Sequence, residues 1–168
     1  MTKKITHQRL YNIALYYLSR YDSCTSKVRD MLKRRILKDA LVESEVPLET
    51  NEWIEDIIKR LQELGYIDDQ RYVQNQVRIL SNAGKSAKFI KMKLQQIGID
   101  TDFVDVALDE YGVDDLLRAR ALVKRKKMGY LRSENRRMDY YKKDLATLGR
   151  AGFSYEISRQ ALKNEDNL

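Results

Sequence analysis

Cysteine, histidine and proline each occur only once among the 168 residues, and glycine occurs seven times. A lone Cys24 excludes an internal disulfide, and one Cys with one His excludes a zinc site of Cys/His type. So little Pro and Gly excludes an all-β chain, which needs many turns, and a low-complexity disordered tail. No apolar run approaches the roughly 20 residues that span a bilayer. The start, Met1-Thr2-Lys3-Lys4-Ile5-Thr6, has no apolar core of the kind a signal peptide carries. The expectation is a soluble monomer of a reducing cytoplasm, with no membrane partner.

Catalytic constellations are missing as well. Residues 1–7 are polar and expected to fray, which makes His7 a surface residue. Cys24 has no base partner and reads as a small buried residue. Asn82-Ala83-Gly84-Lys85-Ser86 ends like a phosphate loop but lacks the earlier glycine and a preceding strand. Asp68-Asp69 could be imagined as metal ligands, yet helix capping accounts for both. The chain is therefore expected to be a non-enzyme with no metal and no cofactor.

What the sequence does have is helical periodicity. Leu10, Ile13, Ala14, Tyr17, Leu18 and Tyr21 recur at three- and four-residue steps, as one face of a helix does. A second helix, capped by Ser23 or Thr25, carries Val28, Leu32 and Ile36 and runs to about Ala40. A loop around Pro47 follows over residues 41–50. Thr50 or Asn51 then caps a third helix bearing Trp53, Ile54, Ile57, Ile58, Leu61 and Leu64. Six more helices follow: one from Asp68 to about Ala83, one after Ser86, a short one capped by Thr101, one over 114–128, one after Ser133 and one from Ser154. The fold class is all-α: an elongated, curved array of three tandem three-helix repeats, over residues 1–67, 68–112 and 113–168. The third helices align on Leu61, Leu108 and Leu162, which are 47 and 54 residues apart. A unit this small has a thin core, and stacking units end to end buries more surface.

The joints between helices share a pattern. At Leu64-Gly65-Tyr66-Ile67-Asp68-Asp69, glycine stops a helix because it has no Cβ to oppose the left-handed backbone. Tyr66 or Ile67 folds back, and Asp68 and Asp69 open the next helix, where carboxylates accept free N–H groups. Gly98 repeats this in Ile97-Gly98-Ile99-Asp100, and Met128-Gly129-Tyr130-Leu131 keeps the apolar–Gly–apolar core. Gly149-Arg150-Ala151-Gly152 is expected to stop the eighth helix. The inter-repeat joint is thus placed at Gly65, Tyr66, Asp68, Asp69 and Gly98.

Charge is unevenly spread. The net charge is +7, yet residues 118–150 alone hold 12 Lys/Arg against three acids. Such a local excess points to a polyanion or an acidic protein surface as partner. Arg118 and Arg125 share one helix face, and Arg120, Lys124 and Lys127 share another. Arg136, Arg137 and Arg150 belong to the same basic repeat, and Lys88 lies in a smaller row in the second. Arginine can grip phosphate or carboxylate with two parallel bonds. The partner- or DNA-binding set is therefore Lys88, Arg118, Arg120, Lys124, Arg125, Arg136, Arg137 and Arg150. A general, sequence-independent nucleic-acid-binding protein is the alternative reading.

Several segments, in order, resemble the RecX family. Ala14-Leu15, Leu18, Arg20 and Ser23 look like its opening helix and turn. Gly65-Tyr66-Ile67-Asp68-Asp69 with Arg71-Tyr72 looks like its most recognisable segment. Gly84, Lys88, Leu94 and Gly98-Ile99 look like its central unit, and Leu148-Gly149-Arg150-Ala151-Gly152-Phe153-Ser154 like its C-terminal turn. Val73 stands where the family usually has alanine, and Lys93 where it has glutamate. The resemblance implies a regulator that binds the groove of RecA recombinase filaments on DNA and limits their growth or activity in repair and recombination. Weak, non-specific contact with DNA phosphates would accompany it.

Overall fold

A computed structural model of the chain describes residues 4–41, 47–112 and 114–163. The described residues form nine α-helices and one 3-10 turn: α1 His7–Leu18, α2 Thr25–Ala40, α3 Thr50–Glu63, α4 Asp69–Asn82, α5 Ala87–Gln95, α6 Thr101–Glu110, α7 Asp115–Lys126, the 3-10 turn Gly129–Leu131, α8 Glu134–Arg150 and α9 Tyr155–Ala161. The all-α expectation holds. The chain divides into two compact units, Met1–Tyr72 and Val73–Leu168, and the division falls inside α4.

In the first unit, α1, α2 and α3 bury the faces that their periodicity marks. Leu10, Ala14, Val28, Leu32, Ile54, Ile57 and Leu61 form one core, to which Ile67 adds from the joint after α3. Ile5 belongs to this core and is only 2 % exposed, so the expected fraying does not extend to it. Thr6 fixes the start of α1 by accepting the Arg9 N–H. His7 is partly sheltered: its Nε2 lies 2.9 Å from Asp56 Oδ2, and its ring meets Trp53 edge-on.

Two expected caps are corrected. The residue before α2 is Cys24, buried and without a capping side chain, and neither Ser23 nor Thr25 serves as the cap. The Thr25 N–H is instead taken by Asp69 Oδ1 at 2.7 Å, from 44 residues further on. At α3 the cap position falls on Glu49, while Thr50 is already helical and buried, so neither Thr50 nor Asn51 caps it. Of the expected loop 41–50, residues 42–46 lie outside the described residues.

The joint after α3 is built as the sequence suggests. Gly65 has φ of 72°, and the Tyr66 and Ile67 N–H groups both return to the Leu61 carbonyl. Ile67 is the residue that folds onto the core, whereas Tyr66 stays 53 % exposed. Asp68 Oδ1 accepts the Arg71 N–H at 2.9 Å and so caps α4. The acidic pair therefore divides its work: Asp68 caps its own helix and Asp69 caps α2.

The second unit repeats this device at a place the sequence reading did not single out. Asp114 Oδ1 accepts the Leu116 and Leu117 N–H groups and caps α7. Asp115 Oδ1 accepts the Ala87 N–H at 2.9 Å, at the first residue of α5, 28 residues earlier. Ser86 caps α5 as expected, accepting the Phe89 N–H, and Gly98 is left-handed after it. The cap of α6 is Asp100 rather than Thr101, because the Asp100 carboxylate accepts the Asp102 N–H.

The core of α7, α8 and α9 gathers Ala119, Leu122, Val123, Met128, Leu148, Phe153, Ala161 and Leu162. Two glycine expectations change here. α7 ends before Gly129, with Lys127 itself in the left-handed region at φ 51° and the Met128 N–H returning to the Val123 carbonyl. Gly129 opens the 3-10 turn, where a Cβ would stand 2.6 Å from the Leu162 carbonyl oxygen. α8 runs through Gly149 and Arg150, and the break comes at Gly152, φ 96°. The Ala151 carbonyl there accepts the Ser86 N–H at 2.9 Å, which pins the α8–α9 corner to the start of α5.

Candidate functional site

The basic residues of the second unit do not form one continuous row. Arg118 turns inward: its side chain is 13 % exposed, and its nearest acid is Asp115 at 3.6 Å. Its guanidinium nitrogens are buried without a hydrogen-bond partner among the described residues. Burial lowers its proton affinity, with Asp115 and then Tyr111 opposing that shift. Arg118 thus works inside the unit, beside the carboxylate that caps α5. Lys88 on α5, Lys124 on α7 and Arg136 on α8 are exposed.

The others gather in two concavities, both within the second unit. The first is a cleft of about 510 Å³ beside the end of α4, lined by Lys85, Arg125, Lys126 and Arg150 with Ala83, Gly84, Leu122, Thr147 and Ala151. None of the described residues that line it is acidic. Arg125 is held by its Nη1 and Nη2 donating to the Asn82 and Ala83 carbonyls at 3.3 and 3.0 Å. Arg150 Nη2 donates to Thr147 Oγ1 at 3.2 Å, and the Lys85 ammonium sits 4.3 Å from the centre of the Phe89 ring. Three of the four cations are thus positioned by contacts that leave their charge uncancelled. A phosphate or carboxylate entering here would meet pre-oriented donors.

The second is a groove of about 780 Å³ between α8 and α9, reaching Leu116 and Arg120 on α7. Apolar atoms dominate its lining: Tyr130, Met138, Tyr141 and Leu162 form its floor and walls. Arg120, Arg137, Arg159 and Lys163 stand around it. Arg137 is braced by donating to the Arg132 and Tyr130 carbonyls at 3.1 and 3.0 Å. The 3-10 turn beneath is locked by Asp144, 3 % exposed, which receives two bonds from Arg132 (2.8 and 2.7 Å) and one from the Gly129 N–H. Burial would raise the Asp144 carboxyl, but these donors outweigh it and hold it below its ordinary range.

Of the eight basic residues marked in the sequence, Arg125 and Arg150 meet in the cleft, and Arg120 and Arg137 meet at the groove. The sequence places Lys85 with Lys88 in the smaller basic row and Met138 in register on the apolar face of α8, where the structure leaves it 84 % exposed, and it gives Arg159 and Lys163 no role. Arg159 lies on α9 and Lys163 two residues past its end, four positions on, a spacing that could have marked them. Among the described residues there is no group of three or more His, Cys, Asp or Glu that could hold a metal. No described helix is long and apolar enough to cross a membrane.

No protein-family model matches the chain. The regulatory protein RecX of Myxococcus xanthus (strain DK1622) is 30 % identical over 163 residues, covering 95 % of this chain and 87 % of that protein. This chain belongs to the RecX family. The regulatory protein RecX of Streptococcus uberis is 29 % identical over 147 residues; the match covers 87 % of this chain but 51 % of that longer relative, about half its length. The crystal structure of RecX from Lactobacillus salivarius superposes with a TM-score of 0.66 at 26 % identity, over 96 % of this chain and 97 % of that one. The all-helical fold is thus shared with RecX, and the family name carries the coarse function, regulation.

Proposed function

We propose that this RecX-family chain binds RecA–DNA filaments and restrains recombinase activity in DNA repair and recombination, as a cytoplasmic monomer and without turnover of its own. The observation that carries the reading is the basic cleft beside α4. Lys85, Arg125, Lys126 and Arg150 converge on it, with no carboxylate among its described lining residues. A filament on DNA offers acidic protein surface and phosphate, and pre-oriented guanidinium groups bind either. Lys88, Lys124 and Arg136 add exposed charge, and Arg120 and Arg137 add the rim of the neighbouring groove. Arg118 contributes indirectly by supporting Asp115.

The same reading takes the chain as three tandem three-helix repeats, 1–67, 68–112 and 113–168, curved so as to follow the groove of the filament. The recurrence of the paired aspartates, at 68–69 and 114–115, supports it, because each pair stands at the start of a repeat. Gly65, Tyr66, Asp68, Asp69 and Gly98 then set the angle between repeats.

Co-sedimentation with RecA–single-stranded DNA filaments tests the proposal, together with recombinase ATP hydrolysis and strand exchange. The informative variant is Lys85→Gln/Lys126→Gln/Arg150→Gln, which spares Arg125 and its contacts to the α4 carbonyls. The expected result is inhibition by the parent chain and weaker binding by the variant. Unchanged hydrolysis and strand exchange at several-fold excess of protein over filament would sink the reading.

A second reading, sequence-independent binding of nucleic acid alone, is favoured by the four cations of the cleft, the charged residues among its described lining. It requires DNA binding without RecA that falls steeply with salt, since each neutralised phosphate releases counterions.

A further inference from the structure

The groove between α8 and α9 has a chemistry different from that of the cleft. Its interior is apolar: Tyr130, Met138, Tyr141 and Leu162 face the space, and Met138 is 84 % exposed. Its rim is cationic, with Arg120, Arg137, Arg159 and Lys163, and Glu156 is the one acid among the described lining residues. Glu156 is already engaged, accepting from Arg159 at 3.1 Å and from Gln160 at 3.0 Å. The volume, about 780 Å³, suits one or two bulky side chains with the backbone that carries them.

We propose that this groove is a docking site for an acidic peptide segment of a protein partner, anchored by one or two large apolar side chains. The Tyr and Leu atoms of the floor, with Met138 at its exposed edge, receive the anchor, and Arg137 and Lys163 of the rim meet Asp or Glu on either side of it. An all-polar polyanion leaves the floor wet and forgoes the apolar burial, so the phosphodiester backbone fits the groove poorly and the basic cleft well. Methionine suits such a floor because its unbranched thioether adapts to different anchors. The rigid part is beneath it: Asp144, Arg132 and Gly129 lock the 3-10 turn that presents Tyr130, so the site is largely formed before binding. The inference deepens the proposed function by naming the protein chemistry one surface takes. Its assay contains no RecA, so either can fail without the other.

The test uses the full chain and three fluorescein-labelled twelve-residue peptides, read by anisotropy. The first is rich in Asp and Glu with one Phe and one Leu at i and i+4; in the second Ser replaces both apolar residues; in the third Asn and Gln replace the acids. Saturable binding of the first peptide is expected, weakened at least about tenfold on loss of either the anchors or the charges, as fits burial of a large apolar side chain. Met138→Glu places a like charge at the exposed edge of the groove without touching the core and is expected to abolish binding, with circular dichroism unchanged. Equal affinity for the first two peptides, or full binding by Met138→Glu, would overturn the proposal. So would displacement of the first peptide by an oligothymidylate of equal charge, which would assign the groove to nucleic acid. A self-association in sedimentation that Met138→Glu removes would assign it to a second copy and equally overturn it.

Discussion

Replacing Gly152 by alanine separates two roles that glycine can play at a helix end. At Gly152 the backbone has φ of 96°, and a Cβ would land on Ser86 Oγ and stand 2.7 Å from Phe89 Cβ. Gly112 lies in the same unit with φ of 63°, and nothing stands within 4 Å of where its Cβ would be. Both substitutions incur the left-handed penalty, about 1–2 kcal/mol for a residue with a Cβ. Only Gly152→Ala adds overpacking, typically about 1–3 kcal/mol. It also strikes Ser86, whose hydroxyl caps α5 and whose N–H holds the Ala151 carbonyl. Losing that cap costs about 1 kcal/mol. Gly152→Ala is therefore expected to cost about 3–6 kcal/mol and Gly112→Ala about 1–2. Urea unfolding of each variant, followed by circular dichroism, reads the difference directly, because both lie in one unit and share the unfolded reference. A domain of this size loses about 4–8 °C of Tm per kcal/mol, so thermal melts should rank them the same way. Equal destabilisation would show that the α8–α9 corner does not press on α5 and would refute the reasoning.

Asp115→Ala should cost about 2–3 kcal/mol in the same assay, because it leaves the Ala87 N–H without its acceptor and removes the acid nearest buried Arg118. A loss no larger than that of an exposed control such as Asp109→Ala would count against it. Asp144→Asn should destabilise by about 2–3 kcal/mol by weakening the paired bonds from Arg132. Since the Asp144 carboxyl is depressed in the fold, its contribution is present above the ordinary carboxylate range and is lost as pH falls through its lower folded value. Acid melts of the parent should therefore show a limb that Asp144→Asn lacks; parallel curves would contradict the assignment. Gly65→Val should cost about 2 kcal/mol from backbone conformation alone, its Cβ site being open, while Asp68→Asn, which keeps the capping oxygen, should stay within about 0.5 kcal/mol of the parent. A folded Asp68→Asn protein that no longer binds filament would show that the charge itself matters there.

The helices were legible because burial follows period. Ile54, Ile57, Ile58 and Leu61 announce α3, and Ile90 with Leu94 announces α5; all six are buried. Gly65 and Gly98 announced their joints because only glycine enters the left-handed region cheaply. What stayed hidden is where polar groups find partners. Nothing local tells Asp69 from Asp68, yet one reaches Thr25 and the other its own helix. Arg118 looked like a surface cation, since charge on a helix usually faces solvent, but the turn of α7 that it shares with Asp115 is packed inward. Gly129 looked like a stop because the motif repeats, yet Lys127 ends the helix two residues sooner. The basic surface was visible as a count, whereas its division into a basic cleft and an apolar groove depends on how α7, α8 and α9 meet.

The second aspartate of each pair has a consequence for how the molecule opens. A carboxylate on the first turn of α4 completes the first turn of α2, and one on α7 completes α5. Fraying at the start of α4 thus exposes an N–H on a helix 44 residues away, and fraying of α7 does the same across 28. Each such pair of helix starts should open and close as a single cooperative event, with the amides of Thr25 and Ala87 exchanging hydrogen at the rates of α4 and α7 rather than at rates of their own.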